Sequence, residues 1–297
     1  MSTRMILSAV IAATCIFSLS PLKAQDDVKI IAIPVTDNIY MLSGQGGNIG
    51  LFLGKDGTFV IDDQFAPLTD KILAAIKSVG GDTPRFLINT HFHGDHTGGN
   101  ENLGNAGTLI VSHDNVRKRL VNGSYIEAFG MNSPPANEVA LPVLTFSQDM
   151  HFHINNESVN AVHVPSAHTD GDSIIHFKSA NVVHAGDVFF NGFYPFIDAA
   201  NGGSLKGTID AVDSILAVTD SSSKIIPGHG PLADKSQLQA YHDMLATVYD
   251  RLLKLKNEGV SVEDAVIQDP LADLESQWGG GIFNGEKWIS IIYPAVY

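Results

Sequence analysis

The sequence predicts an α+β fold of four layers, in which two β-sheets pack against each other and helices cover both outer faces. Two observations lead to this prediction. Strand-like runs followed by helical runs occur in the first half of the chain and again in the second half. In addition, one apolar run ends in a loop that is rich in potential metal ligands, and a loop at the end of a strand can aim several side chains at one point.

The first half of the chain begins with short strands. A helix is expected over Pro67–Val79, because its apolar residues recur at helical spacing before two glycines. Asp114–Val121 is expected to form a second helix, and Phe129–Pro142 has no periodic pattern and is expected to be irregular. The predicted strands of this half are Val28–Ile33, Ile39–Leu42, Asn48–Leu53, Thr58–Ile61, Arg85–Asn89 and Leu109–Val111.

The second half repeats this order. Its predicted strands are Val143–Phe146, Met150–Ile154, Val159–Val164, Ser173–Phe177, Val182–His184 and Lys224–Ile226. Its predicted helices are Leu205–Val218, Leu238–Leu255 and Val262–Ile267. Because no linker-like or low-complexity stretch interrupts the chain, residues 25–297 are expected to form a single domain that ends in a helical, aromatic segment.

The run from Thr90 to Gly99 carries the strongest functional signal in the sequence. Three histidines and one aspartate fall within six residues of it. Neutral imidazole and carboxylate bind zinc without the help of a thiolate. His91 and His93 share a face of an extended chain, whereas Asp95 and His96, which follow a glycine, can turn to a second point nearby. This arrangement favours two adjacent metal ions over one.

Three more potential ligands follow predicted strands later in the chain. They are His168, Asp187 and His229, and each lies beside a glycine or in a turn, where the backbone can approach a ligand closely. A single histidine in a loop is most often a surface or capping residue, and a Gly-Asp pair after a strand is usually a turn. All three in order after the first run form a strong joint signal for a metal centre.

Residues 1–24 are predicted to be a secretory signal peptide. Arg4 supplies the positive charge before an apolar stretch, and Ala24 precedes a polar continuation of the chain. An uncleaved membrane anchor is the alternative, but the apolar run is short for a membrane span. Cys15 is the only cysteine, so cleavage would leave no disulfide and no cysteine ligand. We therefore expect a secreted, periplasmic protein with no stable membrane anchor after cleavage.

The chain is acidic, with a formal net charge of −14. Removal of Arg4 and Lys23 with the signal peptide would make it −16, because no acidic residue precedes residue 25. This acidity argues against nucleic acid as a substrate or partner. It is compatible with a pocket made locally positive by bound zinc. The expected partner is a small-molecule substrate, and the sequence leaves the oligomeric state open.

With these ligand positions, the chain resembles the metallo-β-lactamase superfamily over about Ile39 to Pro231, including the strand end Val60–Asp63. The resemblance implies an αββα sandwich with a dinuclear zinc site at one edge of the sheets. It places Asp62 behind a histidine ligand, which it would orient through the second ring nitrogen. Iron or manganese could also fill sites of this kind. The implied ligands are His91, His93 and His168 for the first zinc, Asp95, His96 and His229 for the second, and Asp187 bridging both.

The implied activity is hydrolysis of a small molecule. Zinc lowers the pKa of bound water to about 7, so hydroxide is available near neutral pH to attack a carbonyl group. Asp95 is the expected catalytic residue, since it can orient the hydroxide while it binds the second zinc. The first expectation is therefore a secreted, β-lactamase-like enzyme that hydrolyses a β-lactam amide.

Asp187 supports an alternative substrate. The best-known β-lactam hydrolases of the superfamily have cysteine or serine at the matching position, whereas aspartate resembles glyoxalase II and other thioester, lactone and ester hydrolases. A lactone or thioester hydrolase is thus the second expectation. Persulfide oxidation on one iron and a nuclease are less favoured, and the non-enzymatic alternative is a periplasmic protein that binds metal or another ligand.

Two segments beside the ligands are candidates for a substrate pocket. The loop Ser43–Asn48 could fold over the site, and the aromatic run Phe189–Phe196 could line a pocket or belong to the core. Within that run, Tyr194 is expected to supply a pocket hydroxyl and Asn191 a second polar contact. The lysines nearest in sequence to the later ligands, Lys206 and Lys224, are not obviously placed to bind a substrate carboxylate.

Overall fold

A computed structural model describes residues 27–296, so the predicted signal peptide and Tyr297 lie outside the described residues. The strands of the described part, in chain order, are β1 Ile31–Pro34, β2 Ile39–Ser43, β3 Ile49–Phe52, β4 Phe59–Ile61, β5 Phe86–Asn89, β6 Leu109–His113, β7 Ser124–Ile126, β8 Met131–Ser133, β9 Leu144–Phe146, β10 Asp149–Ile154, β11 Glu157–His163, β12 Ser173–Phe177, β13 Val182–His184, β14 Lys224–Ile226 and β15 Ala233–Asp234.

The α-helices of the same part connect and cover these strands. They are α1 Thr69–Ser78, α2 Gly94–Thr97, α3 Asn100–Asn105, α4 Asp114–Asn122, α5 Leu205–Val218, α6 Lys235–Asn257, α7 Val262–Gln268, α8 Glu275–Trp278 and α9 Gly285–Ile292. Within residues 27–296, none of these helices combines the length and the hydrophobicity needed to cross a bilayer.

Two large sheets organise the fold. The first has the strand order β1-β2-β3-β4-β5-β6-β9, and the second has the order β10-β11-β12-β13-β14-β15. In the first sheet, β4, β5, β6 and β9 run parallel to one another, and in the second sheet β13 and β14 are parallel. The carboxyl ends of parallel neighbours meet at one edge of a sheet, so the loops that follow these strands lie together.

The core has three apolar layers. Between the sheets, Ile61 and Ile88 of the first sheet share a buried cluster with Ile175 of the second. Outside the first sheet, Leu87 and Ile110 pack with Ile72 of α1, together with other apolar residues of β2 to β4. Outside the second sheet, Val183 and Ile225 pack with Val212 of α5 and Leu238 of α6.

These layers confirm the predicted αββα sandwich.

Two differences from the sequence-based expectations concern β8 and α6. Part of the segment expected to be irregular belongs to a short hairpin, in which β7 pairs with β8. Helix α6 begins three residues before the predicted start, because Asp234 and Gln237 form a capping box at its N-terminus.

Candidate metal centre

The loops at one edge of the two sheets bring the predicted ligands together. Strands β4 and β5 are parallel neighbours, so Asp62 and His91 leave the first sheet at the same edge. Strands β13 and β14 are parallel neighbours as well, so Asp187 and His229 leave the second sheet together. His168 comes from the loop between β11 and β12.

All seven predicted ligands are brought together as two groups that could each hold a metal ion. Within each group, the potential ligand atoms lie within 4.8 Å of one another. His93 is the N-cap residue of α2, and this short helix turns Asp95 and His96 away from the first group towards the second. The first group is His91, His93, His168 and Asp187, and the second is Asp95, His96 and His229.

Asp187 lies between the groups. Its Oδ2 is 3.5 Å from His168 Nε2 and 3.8 Å from His91 Nε2, both in the first group. Its Oδ1 is 3.1 Å from His96 Nε2, and its Oδ2 is 3.4 Å from His229 Nε2, both in the second group. One carboxylate therefore faces both sets of imidazoles, which is the arrangement that a bridging ligand requires.

Four of the five histidines have their second ring nitrogen bonded away from the cluster. His96 Nδ1 donates to Asp62 Oδ2 at 2.7 Å, and His168 Nδ1 donates to the carbonyl of Phe196 at 2.8 Å. His93 Nε2 donates to Asp198 Oδ2 at 3.0 Å. Contacts of this kind fix the tautomer and the ring orientation of metal-binding histidines.

The fourth histidine, His91, is oriented through Thr90. The Thr90 hydroxyl donates to Asp62 Oδ2 at 2.8 Å and lies 3.0 Å from His91 Nδ1, so His91 donates to it. His91 Nε2 is then a lone-pair acceptor, and it is buried without a hydrogen-bond partner. A buried lone pair of this kind is costly unless it binds a proton or a metal ion.

Two other histidines face each other across the first group. His93 Nδ1 and His168 Nε2 lie 2.9 Å apart, although each ring donates through its other nitrogen. In the neutral imidazoles, two lone pairs would therefore point at each other. The donor set, five imidazoles and two carboxylates, and this geometry both fit divalent metal ions of the zinc type.

The pKa values of His91, His168 and the two carboxylate ligands favour the forms that bind a metal. Burial lowers the pKa of His91 well below its usual range and lowers that of His168 to about 4. Burial alone would raise the pKa of the carboxylates, but His96 and the other imidazoles outweigh it. The pKa of Asp187 is held well below its usual range, and that of Asp95 is lowered to about 2.

In the second group, protons compete with a metal. Burial alone would lower the pKa of His229, but Asp187 beside it raises that pKa to about 9. The carboxylates raise the pKa of His96 above its usual range against the same effect of burial. A divalent ion would take the place of these protons.

The cluster is open on the side of the second group. The side chains of Asp95 and His229 are 26% and 18% exposed, whereas the first-group ligands are buried. Asp95 Oδ2 lies 3.3 Å from His229 Nε2. A substrate can therefore reach the cluster beside these two residues.

Close backbone approaches position ligands of both groups. A Cβ atom at Gly228 would lie 2.0 Å from Asp187 Oδ1, and one at Gly47 would lie 2.1 Å from His96 Cε1. The side-chain amide of Asn48 donates to the carbonyls of Pro227 and Gly230, on either side of His229. The base of the loop Ser43–Asn48 is thus anchored against the cluster.

The two expected pocket residues lie in different surroundings. Tyr194 is fully buried in the core outside the second sheet, stacked on Trp288, and its hydroxyl has no hydrogen-bond partner. In this structure the hydroxyl therefore does not line an open pocket, because the aromatic run folds inward at this residue. Asn191 is also buried, and its amide donates to the carbonyl of Pro231 and so supports the turn that carries His229.

Two further residues that position the ligands, Asp198 and Arg119, are not indicated by the sequence. Asp198 bonds to His93, as described above. Arg119 of α4 forms a two-point contact with Asp170, which lies two residues after His168, at 2.8 and 2.7 Å. Its guanidinium also donates to the carbonyl of Asn201 at 2.9 Å. Neither residue lies in a ligand-like sequence pattern, so only the folded chain reveals its place.

Comparisons with known proteins agree with this architecture. The family model described as the metallo-beta-lactamase superfamily matches residues 42–229. A search of curated proteins gives no significant match.

Solved structures with the same fold include two metallo-beta-lactamases. The metallo-beta-lactamase from Pontibacter korlensis superposes with a TM-score of 0.59 at 16% identity, over 73% of this chain and 99% of that one. The DIM-1 metallo-beta-lactamase superposes with a TM-score of 0.60 at 14% identity, over 75% of this chain and 100% of that one.

A third structure covers more of this chain. The stereoselective inverting sec-alkylsulfatase Pisa1 from Pseudomonas sp. superposes with a TM-score of 0.67 at 16% identity. The match includes 91% of this chain but only 51% of the alkylsulfatase, so this chain spans about half the length of that protein.

Proposed function

This chain belongs to the metallo-beta-lactamase superfamily, and we propose that it is a zinc-dependent hydrolase with two metal ions in its active site. The observation that carries the proposal is the position of Asp187. Its carboxylate lies within 3.8 Å of imidazole nitrogens from both ligand groups. A carboxylate that faces both groups is expected in one site with two adjacent ions. Two independent metal sites would not need to share it.

The ligand assignment follows the two groups. His91, His93 and His168 would hold the first zinc, Asp95, His96 and His229 would hold the second, and Asp187 would bridge them. When bound, zinc lowers the pKa of water to about 7 and polarises a carbonyl group of the substrate.

Asp95 is proposed as the catalytic residue. It lies on the open side of the cluster, and its pKa of about 2 keeps it ionised at neutral pH. Its Oδ2 can accept a hydrogen bond from the attacking water and so hold that water in line with the substrate. The buried first-group ligands exclude bulk water from the other side.

For the substrate, we propose the acyl bond of a small molecule. A β-lactam amide is the first candidate, as expected from the resemblance. A lactone or thioester is the second, and the carboxylate at position 187 is the observation that favours it. A protein that binds metal without catalysis is the alternative outside enzymes.

A substrate panel separates these functions. Zinc-loaded protein is assayed with nitrocefin, a lactone and a thioester, and its bound metal is measured in parallel. Turnover of nitrocefin supports the first candidate, and turnover of only the lactone or thioester supports the second. Two bound zinc ions with no turnover of any substrate would favour a binding protein and contradict the proposed hydrolase.

A matched pair of variants checks Asp95. We expect Asp95→Ala to reduce turnover by at least about 100-fold, more than is usual for residues that only support a metal ligand. Asp70→Ala, on the exposed first turn of α1, serves as the control and should keep wild-type turnover. Retention of most activity by Asp95→Ala would show that the catalytic assignment is wrong.

We also propose that the protein is exported to the periplasm after removal of residues 1–24. The proposal rests on the charge and hydrophobicity of those residues alone. Mass spectrometry of the protein from a periplasmic fraction should give a chain that begins at Gln25. A full-length chain in the cytoplasmic fraction would contradict it.

A further inference from the structure

Aromatic side chains border the cluster of metal-ligand residues on two sides. Phe196 stacks on His93 with ring centres 5.7 Å apart and meets His168 edge-on at 5.5 Å. On the other side, Phe190 stacks on His229 at 5.0 Å. Both ligand groups are therefore in contact with apolar rings.

These contacts continue outward to the surface. Phe129, in the turn between β7 and β8, packs on Phe196 at 4.9 Å and stacks with Phe283 at 5.9 Å. Phe193 packs edge-on against Phe190 at 5.6 Å. The backbone of Gly281 lies directly on Phe193, since a Cβ atom there would be 2.5 Å from it.

The segment from Gly281 to Phe283 thus joins the two aromatic walls. It contacts Phe193 at one end and Phe129 and Phe196 at the other. We define the apolar rim as Phe129, Phe193, Phe196, Ile282 and Phe283.

The rim is partly open to solvent. Phe129 is 42% exposed and Ile282 is 51% exposed, although both lie next to buried aromatic residues. Two further residues of the same hairpin, Tyr125 and Met131, are at least half exposed. Apolar side chains that cluster at the surface beside a polar site commonly mark a ligand-binding surface.

The lysines nearest in sequence to Asp187 and His229 lie on other parts of the fold. Lys206 pairs with Asp210 on the exposed face of α5. Lys224 begins β14, at the opposite end of that strand from His229. Neither lysine belongs to the rim, whose five residues are all uncharged and offer hydrophobic contact. Charged side chains near it, Glu127 and Lys287, line the cavity that adjoins Phe196.

We propose that the apolar rim binds a hydrocarbon group, alkyl or aryl, attached to the acyl carbon of the substrate. The inference rests on the proposed function, because it places the scissile bond at the metal cluster and the hydrocarbon group against the rim. The substrate class is then an acyl compound with a hydrophobic acyl group, whether its scissile bond is an amide, an ester or a thioester.

A series of alkanoyl hydroxamates with two to ten carbons tests this proposal without turnover. The hydroxamate group binds zinc, and the alkyl chain extends from the position of an acyl group. Binding to the zinc-loaded protein is measured by calorimetry. Affinity should rise with each added methylene, by up to about fourfold where the methylene is fully buried.

Two variants test whether the gain in affinity with chain length comes from the rim. Phe129→Ser and Ile282→Ser should each lower the ratio of octanohydroxamate to acetohydroxamate affinity several-fold. Ile282→Ser guards against loss of folding, because Ile282 is the more exposed of the two. Leu109→Ser is the matched control, since Leu109 is 43% exposed but begins β6, at the end of the sheet opposite the ligands. It should keep the wild-type ratio.

The outcomes separate this inference from the function on which it rests. Binding of acetohydroxamate with no gain along the series would overturn the apolar rim proposal and leave the metal centre intact. An equal loss of the ratio in Phe129→Ser and Leu109→Ser would also overturn it. No bound zinc and no binding of acetohydroxamate would overturn the proposed function, and the rim proposal with it.

Discussion

At the scale of single residues, the orientation of each histidine ligand depends on the hydrogen bond that its outer ring nitrogen makes. Asp62 and the carbonyl of Phe196 each accept a hydrogen bond from the outer nitrogen of a histidine. This leaves the inner nitrogen with a lone pair aimed at its neighbours. Positions that carry no ligand themselves therefore help to set how tightly the ligands can hold a metal.

Asp198 offers a direct test of this principle. We expect Asp198→Asn to weaken zinc binding by about 10- to 100-fold, because His93 loses the charged acceptor that fixes its ring. Competition with a chromophoric chelator measures the affinity, and Asp70→Asn is the exposed control. Unchanged affinity in Asp198→Asn would show that His93 needs no such support.

The raised pKa values in the second group predict proton release. His229 has a pKa of about 9, so its ring is largely protonated at pH 7 before a metal binds, and the pKa of His96 is raised by the neighbouring carboxylates in the same direction. Zinc must displace these protons, so its apparent affinity should increase as the pH rises from 7 towards 9. Calorimetry in two buffers of different ionisation enthalpy counts the protons, and a count of zero at pH 7 would contradict the assignment of these ligands.

At the scale of elements, helix α4 holds together segments that are distant in sequence. Arg119 contacts Asp170 in the loop of His168, the carbonyl of Asn201, and the ring of Phe92, which lies 5.1 Å below its guanidinium. The amide of Asn201 in turn donates to Asp198 Oδ2 at 2.7 Å. The helix therefore ties the His168 loop to the support of His93.

We expect Arg119→Ala to lower both the melting temperature and the zinc affinity. It removes charge-assisted hydrogen bonds worth about 2 kcal/mol, which corresponds to several degrees in a protein of this size. Arg119→Lys keeps the charge but not the planar two-point contact, so it should restore only part of the loss. Differential scanning fluorimetry and chelator competition measure the two effects, and full restoration by lysine would mean that charge alone matters.

Some elements could be predicted from the sequence and others could not. The central strands β3 to β6 are runs of apolar residues that end at turn residues, so their pattern identifies them. The hairpin of β7 and β8 has strands of only three residues each, with little periodicity to detect. Asp234 and Gln237 could have predicted the early start of α6, since they form a capping box. The first turn of the helix, however, lacks the apolar spacing of its later turns.

At the scale of the whole molecule, the two sheets meet at the cluster. Three ligands of the first run, His91, His93 and His96, follow the first sheet, whereas Asp187 and His229 follow the second. The first run could be recognised because its ligands are adjacent in sequence. The later ligands could be assigned from their order in the chain and from the family resemblance. Asp198 and Arg119 belong to no such pattern, so the sequence did not identify them.

Because the ligands come from both sheets, metal binding should stabilise the whole fold. A ligand at 100 times its dissociation constant adds about 2.7 kcal/mol per site to the free energy of unfolding. We expect zinc to raise the melting temperature by about 5 °C or more, and EDTA to reverse the change. Equal melting temperatures with zinc and with EDTA would indicate that the cluster does not bind zinc in the folded protein.

Between the two sheets' ligand groups, Asp187 is proposed to join two metal sites through one carboxylate. The most direct test of this bridge is the zinc content of the native protein and of Asp187→Asn, measured by native mass spectrometry at saturating zinc. We expect two zinc ions per chain in the native protein and the loss of at least one from the variant, as a shared ligand requires. A single zinc in the native protein, or two zinc ions retained by Asp187→Asn with unchanged affinity, would contradict it.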